Sequence, residues 1–450
     1  MREMRDPIHG FIALSDTEVA IVDTPVYQRL RRIKQLALAS LVYPGALHTR
    51  FEHSLGVAHL AGRLSDRLLV DEDPETKLLV RQAALLHDIG HGPFSHVSES
   101  VLELCYDRSR IRLGPKGKIH EQLTHSLIST SPELSRLISD RNREAVVGLL
   151  SGRQASGLMK DIVSGPLDAD KLDYLLRDSY YCGVKYGVFD IDRLLATLVS
   201  FRSGSDRCLA VAGGGMHSLE QFVLAKYYMT TQVYRHRVRL ITDAMITRGI
   251  VLGIREDKIG FLRDLYGYDG SAEHLRNWVQ WDDEKLVISV LTRKARRSYA
   301  RDLFQRLRER RLFKLVFHRK LRDFQPLVRD ALAKNLQPYQ AAIERVAARE
   351  LDLDPNLVMA HRYRIQSVRE QSRNSEGLVY VMRSDQTLMP FEEESTLFRS
   401  IDEAQKDEYL DVYAPIEFKD SGTRDRDLRE FDDCIRHAIE HEVDRVIEAR

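Results

Sequence analysis

The sequence predicts a mostly α protein: a helical core followed by a smaller α+β C-terminal lobe. Three observations carry this. Apolar residues recur at helical spacing over most of the first 322 residues, often behind recognisable helix starts. From 323 onward, helical stretches (324–350, 396–409, 424–450) alternate with β-like runs at Leu378–Met382 and Tyr409–Tyr413. No internal repeat or long low-complexity linker interrupts either part. The expected division is therefore 1–322 and 323–450, although length alone would suit about three domains.

Composition narrows the function classes. Of 450 residues, 43% are hydrophobic and 30% charged, enough apolar material for a sizeable core. A net charge of +1 gives no global attraction to nucleic acid or acidic membrane. The cysteines (Cys105, Cys182, Cys208, Cys434) are widely spaced, which argues against a zinc ribbon or disulfide framework and fits a reducing cytosol. No apolar run approaches the ~20 residues of a membrane span, and the N-terminus lacks a signal-peptide centre. The expectation is a cytoplasmic protein without a membrane partner.

In chain order, Asp6-Pro-Ile-His-Gly10 is a turn, and Asp23-Thr-Pro25 opens a helix with proline in its first turn. Tyr27, Leu30, Ile33 and Leu36 form its apolar face; Gln28, Arg29, Arg31, Arg32, Lys34 and Gln35 read as a solvated side. Thr49-Arg-Phe-Glu-His53 opens the next helix, with His53 at the start of the stripe Val57, Leu60, Leu64. Such a histidine is, taken alone, more often a core residue than a ligand. Gly114–Gly117 is a turn before a helix starting at His120-Glu121. Asp168 is an N-cap; Leu172, Leu175 and Leu176 pack, while Asp170, Tyr174 and Asp178 share another side spread over ~80°, a cleft wall. Residues 201–217 are irregular or β, and Gly213–Gly215 lacks the lysine of a phosphate loop. Ser218-Leu-Glu-Gln221 caps a long helix to about Ile250 that interleaves Lys226, Tyr234, His236 and Arg237. Residues 293–322 hold 13 Lys/Arg against Asp302 and Glu309, either a phosphate- or nucleic-acid-binding stripe or an exposed amphipathic helix.

The chemical centre is Ala83-Ala-Leu-Leu-His-Asp-Ile-Gly-His-Gly-Pro-Phe-Ser-His96. A helical apolar run ends in His87-Asp88, an imidazole and a carboxylate that can grip one divalent cation. Two ligands are too few, so His53 and Asp170, each starting a helix, are proposed as the others. Two imidazoles and two carboxylates suit Mn²⁺, Fe²⁺ or Zn²⁺ with open positions; a closed structural zinc site would use cysteine.

The order His53…His87-Asp88…Asp170 resembles the HD-domain metal-dependent phosphohydrolases. The likeness extends to Asp6–Gly10, Asp23–Pro25, Gln28–Arg31, Ile33–Gln35, Tyr43–Ala46, Arg50–Val57, His87–His96, His120-Glu121, Asp168–Tyr174 and Arg177-Asp178. These are similar to the deoxynucleoside triphosphate triphosphohydrolases, nearest to the catalytic region of the vertebrate sterile-alpha-motif-and-HD type and its bacterial relatives. The likeness is dense over 4–250 and weaker over 290–415, and no sterile-alpha-motif domain is expected before Asp6.

The resemblance implies an HD-domain helical core and roles for single residues. His53, His87, Asp88 and Asp170 match metal ligands, for Mn, Fe, Zn or Mg. His91, His96 and His120 match catalytic histidines, with Glu121 as the partner orienting His120. Arg50, Lys171 and Tyr174 match triphosphate-holding residues; Lys226 stands where arginine is usual. Gln35 and Asp178 match contacts to the 3′-hydroxyl, Leu36 and Tyr234 the crowding that excludes a 2′-hydroxyl, and His236 a further nucleotide contact. Asp23, Gln28 and Arg31 match a GTP/dGTP activator site, and Arg202 and Arg237 a neighbouring dNTP activator site, implying a homotetramer. Arg5, Thr230 and Ala212–Gly215 depart from the vertebrate pattern around these sites. The implied reaction splits a dNTP into deoxynucleoside and triphosphate. Two other readings are compatible: another HD phosphohydrolase (nucleotide monophosphatase, cyclic-nucleotide phosphodiesterase or nuclease), or a nucleotide-sensing or single-stranded nucleic-acid-binding protein using 293–322.

Overall fold

The computed structural model describes residues 2–111, 113, 117–152, 157–204, 206–294, 297–364, 373–374, 377–400, 408–417 and 421–448. Helices dominate it, beside small sheets. Residues 114–116 of the expected turn and 401–407 of the expected helix lie outside this set. No described helix is long and apolar enough to cross a membrane.

The chain forms two compact units, and they interleave in sequence: Met1–His236, Lys258–Arg293 and Val368–Asp402 make the first, Arg237–Asp257, Lys294–Ser367 and Glu403–Arg450 the second. This differs from a division at 322. The segment containing Leu378–Met382 belongs to the first unit, because its strand Tyr380–Met382 pairs parallel with Ala210–Ala212.

The first unit begins with an antiparallel hairpin, β1 (Arg2–Asp6) and β2 (Gly10–Leu14), followed by α1 (Asp16–Val22). Only Pro25–Gln28 is then α-helical; Arg29–Arg32 tightens to a 3₁₀ turn and Ile33 is extended, so the expected helix to Leu36 does not form. The reason is tertiary. Arg29 is not solvated but fully buried, and donates to Trp281 O, Ile89 O and His91 O at 3.1, 2.9 and 2.6 Å.

Helix α2 (Arg50–Leu68) starts in a Thr49/Glu52 capping box, and its stripe Val57, Leu60, Leu64 is buried as expected. It packs on α3 (Pro74–Leu86), which opens with Pro74 behind the Asp73 cap and ends at His87. Helices α4 (His96–Cys105) and α5 (Ile119–Thr130) follow. The Asp168 side chain accepts from Lys171 N at 2.8 Å and starts α6 (Ala169–Cys182), which packs on α2 through buried Leu172 and Leu175. Strands β3 (Leu198–Ser203) and β4 (Asp206–Ala212) realise the β-like stretch. Helix α7 (Met216–Tyr228) begins two residues before Ser218, and the helix expected to reach Ile250 is broken: Met229–Tyr234 is a π-helical segment, and a new helix, α8 (Arg237–Arg255), starts in the second unit. Tyr234 closes that π-helical segment.

In the second unit, α8 packs on α9 (Tyr299–Arg308). Strand β5 (Lys314–Lys320), helix α10 (Gln337–Glu350), strands β6 (Met359–Arg364) and β7 (Glu408–Ala414) and helix α11 (Ser421–Glu448) complete it. The sheet is antiparallel, ordered β5-β7-β6, and its face with Val316, Leu410, Val412 and Ala360 packs against Ile343 and Ala347 of α10 and Ile435, Ile439 and Val443 of α11. The basic stretch 293–322 is thus no single helix: α9 and β5 share it, with Arg306–Asp302, Arg311–Glu309 and Arg319–Asp432 ion pairs.

Candidate metal centre and active site

His53 from α2, His87 and Asp88 from the end of α3, and Asp170 from the first turn of α6 converge in the first unit. His53 Nε2 lies 3.0 Å from Asp170 Oδ1 and 3.7 Å from Asp88 Oδ2; His87 Nε2 lies 3.2 Å from Asp88 Oδ1 and 3.9 Å from Asp170 Oδ1. Ligands at ~2.1 Å around one ion stand about 3.0 Å apart when cis and about 4.2 Å when trans, so one atom each of His53, His87 and Asp170 can share a single cation, with Asp88 beside them. The tautomers fit too. His87 Nδ1 faces Ala84 O at 2.7 Å and His53 Nδ1 faces Asp173 Oδ2 at 2.8 Å, so both Nε2 atoms turn into the cluster. His87 Nε2 is buried with no aligned hydrogen-bond partner among the described residues, a lone pair beside a carboxylate. Without the ion, His53 takes up the proton: burial opposes this, but Asp170 and Asp173 lift its pKa to about 10. Burial would raise the Asp88 carboxyl; Arg50 above all, with His87 and His91, holds it well below the usual range.

A second cluster adjoins the first. His91 Nε2 lies 3.2 Å from Asp88 Oδ1, and its ring stacks on His120 at 4.5 Å. Glu99 of α4 accepts a hydrogen bond from His96 Nδ1 at 2.8 Å, and lies within ion-pair distance of His91 Nδ1 (3.3 Å) and His120 Nδ1 (3.2 Å). Burial would raise Glu99, but His96 and His120 drive it far below the usual range. His91 is held neutral, by burial first and then by Arg50. His96 is 59% exposed, where an incoming molecule can reach it. Glu121, expected to orient His120, does not: it caps its own helix by accepting from Lys118 N at 3.5 Å. Neighbours in a helix point about 100° apart, so the carboxylate serving His120 comes from α4. Glu99 was missed in the sequence, although it stands three residues after His96 on the same helix face.

The loop between these clusters is held from three sides. Thr124 Oγ1 accepts from Gly90 N at 3.1 Å and donates to His87 O at 3.2 Å. Phe94 and Ser95 have φ of 63° and 54°, a left-handed strain held by Asp283 Oδ1 on Phe94 N and by Ser95 Oγ donating to Lys34 O. Arg50 donates to Ser95 Oγ at 2.8 Å and to Asp88 Oδ2 at 2.5 Å, and its Nη2 is buried with no hydrogen-bond partner among the described residues.

The model of the HD domain matches residues 50–178, and that of the HD associated region matches 189–427, more than half of the chain. The chain belongs to the HD-domain family. It is 37% identical over 272 residues to an uncharacterized protein of Methanocaldococcus jannaschii (60% of this chain, 54% of that one). It is 30% identical over 328 residues to the deoxynucleoside triphosphate triphosphohydrolase SAMHD1 homolog of Dictyostelium discoideum, covering 70% of this chain and 59% of that one. The match thus spans little more than half the length of these relatives. A hypothetical protein from Aquifex aeolicus of known structure superposes with a TM-score of 0.69 at 28% identity, covering 97% of this chain and 99% of that one.

The remaining positions of this HD protein sort by place. Asp178 accepts from Tyr234 OH at 2.7 Å and pairs with His48 Nε2 at 2.8 Å; the Tyr174 and Tyr234 rings lie 6.2 Å apart. Gln35 and Leu36 are buried, and Gln35 Oε1 has no hydrogen-bond partner among the described residues. His236 stands edge-on to Tyr43 at 5.8 Å, and Lys226 lies in the last turn of α7. Lys171 Nζ donates to Asp168 Oδ2 at 2.7 Å and Gly165 O at 3.0 Å, so its ammonium is tied into the α6 cap. Asp23 is exposed, Gln28 bonds Val22 O and Arg31, and Arg31 lies 3.5 Å over the Phe51 ring. Arg202 is exposed on β3. Arg237, in the second unit, lines a cavity of about 600 Å³ with His318, Arg319, Lys320, Arg322 and Tyr409.

Proposed function

We propose that this HD-domain phosphohydrolase splits deoxynucleoside triphosphates into deoxynucleoside and triphosphate. The observation that carries the reading is the adjacency of two different clusters, a four-ligand cation site and a Glu99-linked set of three histidines, meeting at Asp88 and His91. The relatives named as dNTP triphosphohydrolases add weight. His53, His87, Asp88 and Asp170 would hold a divalent metal, which would neutralise phosphoryl charge and lower the pKa of water. In the proposed reaction, water oxygen bonds to the α-phosphorus, its proton passing to solvent, and the bond from that phosphorus to the 5′-oxygen breaks. The 5′-oxygen leaves with a proton from His96 or His120, whose imidazolium Glu99 stabilises, beside the neutral His91. Arg50, with its spare buried Nη2, and Tyr174 hold the phosphates. The Asp178–Tyr234 pair, with Gln35 and Leu36, closes around a sugar lacking the 2′-hydroxyl. Activation by GTP/dGTP at Asp23, Gln28 and Arg31, by a dNTP at Arg202 and Arg237, and assembly into a tetramer form the regulatory half of the proposal.

The test is a product assay with Mn²⁺ and the four dNTPs, singly and mixed, beside rNTPs. Triphosphate from mixtures only supports both chemistry and activation; triphosphate from every single dNTP keeps the chemistry and removes the obligatory activator. No triphosphate with metal bound overturns the reading in favour of a monophosphate, cyclic-nucleotide or nucleic-acid substrate. One observation favours nucleic-acid binding as a second activity: His318, Tyr409 and Tyr363 stack in parallel at 5.0 and 5.2 Å across the second-unit sheet, beside Lys320. Salt-dependent oligonucleotide binding that His318→Ala weakens would support it.

A further inference from the structure

The Asp6–Gly10 turn has no part in the chemistry above, yet it is wired to a metal ligand. Asp6 Oδ1 accepts from Ile8 N and His9 N, both at 2.9 Å, which closes the turn between β1 and β2 and sends Oδ2 inward. There Arg177 Nη1 donates to it at 2.7 Å, and Arg177 Nε and Nη2 donate to the two oxygens of Asp173 at 2.8 and 2.9 Å. His9 Nε2 meets Asp173 Oδ1 at 2.7 Å, and His53 Nδ1 meets Asp173 Oδ2 at 2.8 Å. Asp173 and Arg177 have no solvent exposure and Asp6 only 5%, so water cannot replace these partners. Space for them is made on α2: a Cβ on Gly56 would stand 1.9 Å from Asp173 Oδ1 and 2.4 Å from Arg177 Nη2.

We propose that Asp6, His9, Asp173 and Arg177 form a positioning frame that keeps His53 Nε2 aimed at the cation, making the N-terminal hairpin a strap for metal retention. The frame rests on the metal-site reading and deepens it. Asp173 alone would fix the His53 tautomer; with four N–H contacts reaching its two oxygens from three elements, it is also held in place. The hairpin contributes one contact directly, through His9, and two indirectly, through the Asp6 grip on Arg177.

The test measures Mn²⁺ affinity of the full chain without nucleotide, by competition with a chelating dye, beside thermal unfolding of each metal-stripped variant. Asp6→Asn keeps the turn acceptor but sets an amide N–H or a neutral oxygen against Arg177; Gly56→Ala removes no hydrogen-bonding group and displaces Asp173 sterically. Each should weaken Mn²⁺ binding about 10-fold or more, as loss of outer-shell partners does. Asp173→Asn should weaken it further; if that variant does not fold, the other two still decide. Wild-type affinity in folded Asp6→Asn and Gly56→Ala overturns the frame while leaving the metal site standing. If His53→Ala also binds Mn²⁺ as wild type, or wild type binds none, the metal-site reading itself fails.

Discussion

Glu99 Oε2 stands 3.2 Å from His120 Nδ1, linking α4 to α5 through their side chains. The same carboxylate serves His96 and His91, so one anion faces three imidazoles. Its loss should be felt in proton transfer. Glu99→Gln is expected to lower kcat about 10-fold or more and flatten the pH–rate profile, with metal content unchanged. Glu121→Gln should stay near wild type. The reverse pattern would return Glu121 to the site.

Metal and turnover should separate by residue. His53→Ala and Asp170→Ala are expected to lose bound metal and activity together. His120→Ala should keep the metal and lose roughly 10²–10⁴ in kcat, the usual worth of a positioned acid or base. Metal analysis beside single-turnover rates decides; full turnover in His120→Ala would remove it from the mechanism.

Sugar selection should reside in Tyr234. Its hydroxyl grips Asp178, and its ring flanks Tyr174. Tyr234→Ala is expected to raise the rNTP/dNTP ratio of kcat/KM about 10-fold, within what one steric contact supplies. An unchanged ratio would place the discrimination elsewhere.

Stability should depend on Arg29. Arg29→Met leaves the carbonyls of Ile89, His91 and Trp281 without their donor. We expect a loss of about 3 kcal/mol in urea unfolding, the scale of unsatisfied buried acceptors.

His59 should make stability fall in mild acid. Burial, then His9 and Arg63, lowers its pKa from 6.5 to about 4. The unfolded chain therefore takes a proton near 6.5 while the folded one does not until about 4. This contribution is intact above 6.5 and is lost progressively below it. Between about pH 7 and pH 5 the wild type should lose more stability than His59→Gln, read from urea midpoints. Equal losses would show His59 already solvated.

The sequence alone brought out the proposed ligands His53, His87, Asp88 and Asp170 and most of the helical frame. His87-Asp88 is contiguous, and His53 and Asp170 each open a helix, so local pattern offered them as candidates, while donor chemistry and the HD-domain resemblance joined them into one set. The sequence also held the Asp168 cap and the β-like stretches at 201–217 and 409–413, which the structure realises as strands over 198–212 and 408–414. Tertiary structure decided partner choice. Glu121 adjoins His120 in the chain, yet Glu99 reaches it, because a helix turns neighbours apart and packing brings distant groups together. Asp173 reads as one more helical carboxylate until His9, His53 and Arg177 are found around it. Arg29 reads as a surface charge until three buried carbonyls claim it. The π turn at Met229–Tyr234 and the interleaving of the two units likewise depend on contacts between residues far apart in sequence, which no local pattern encodes.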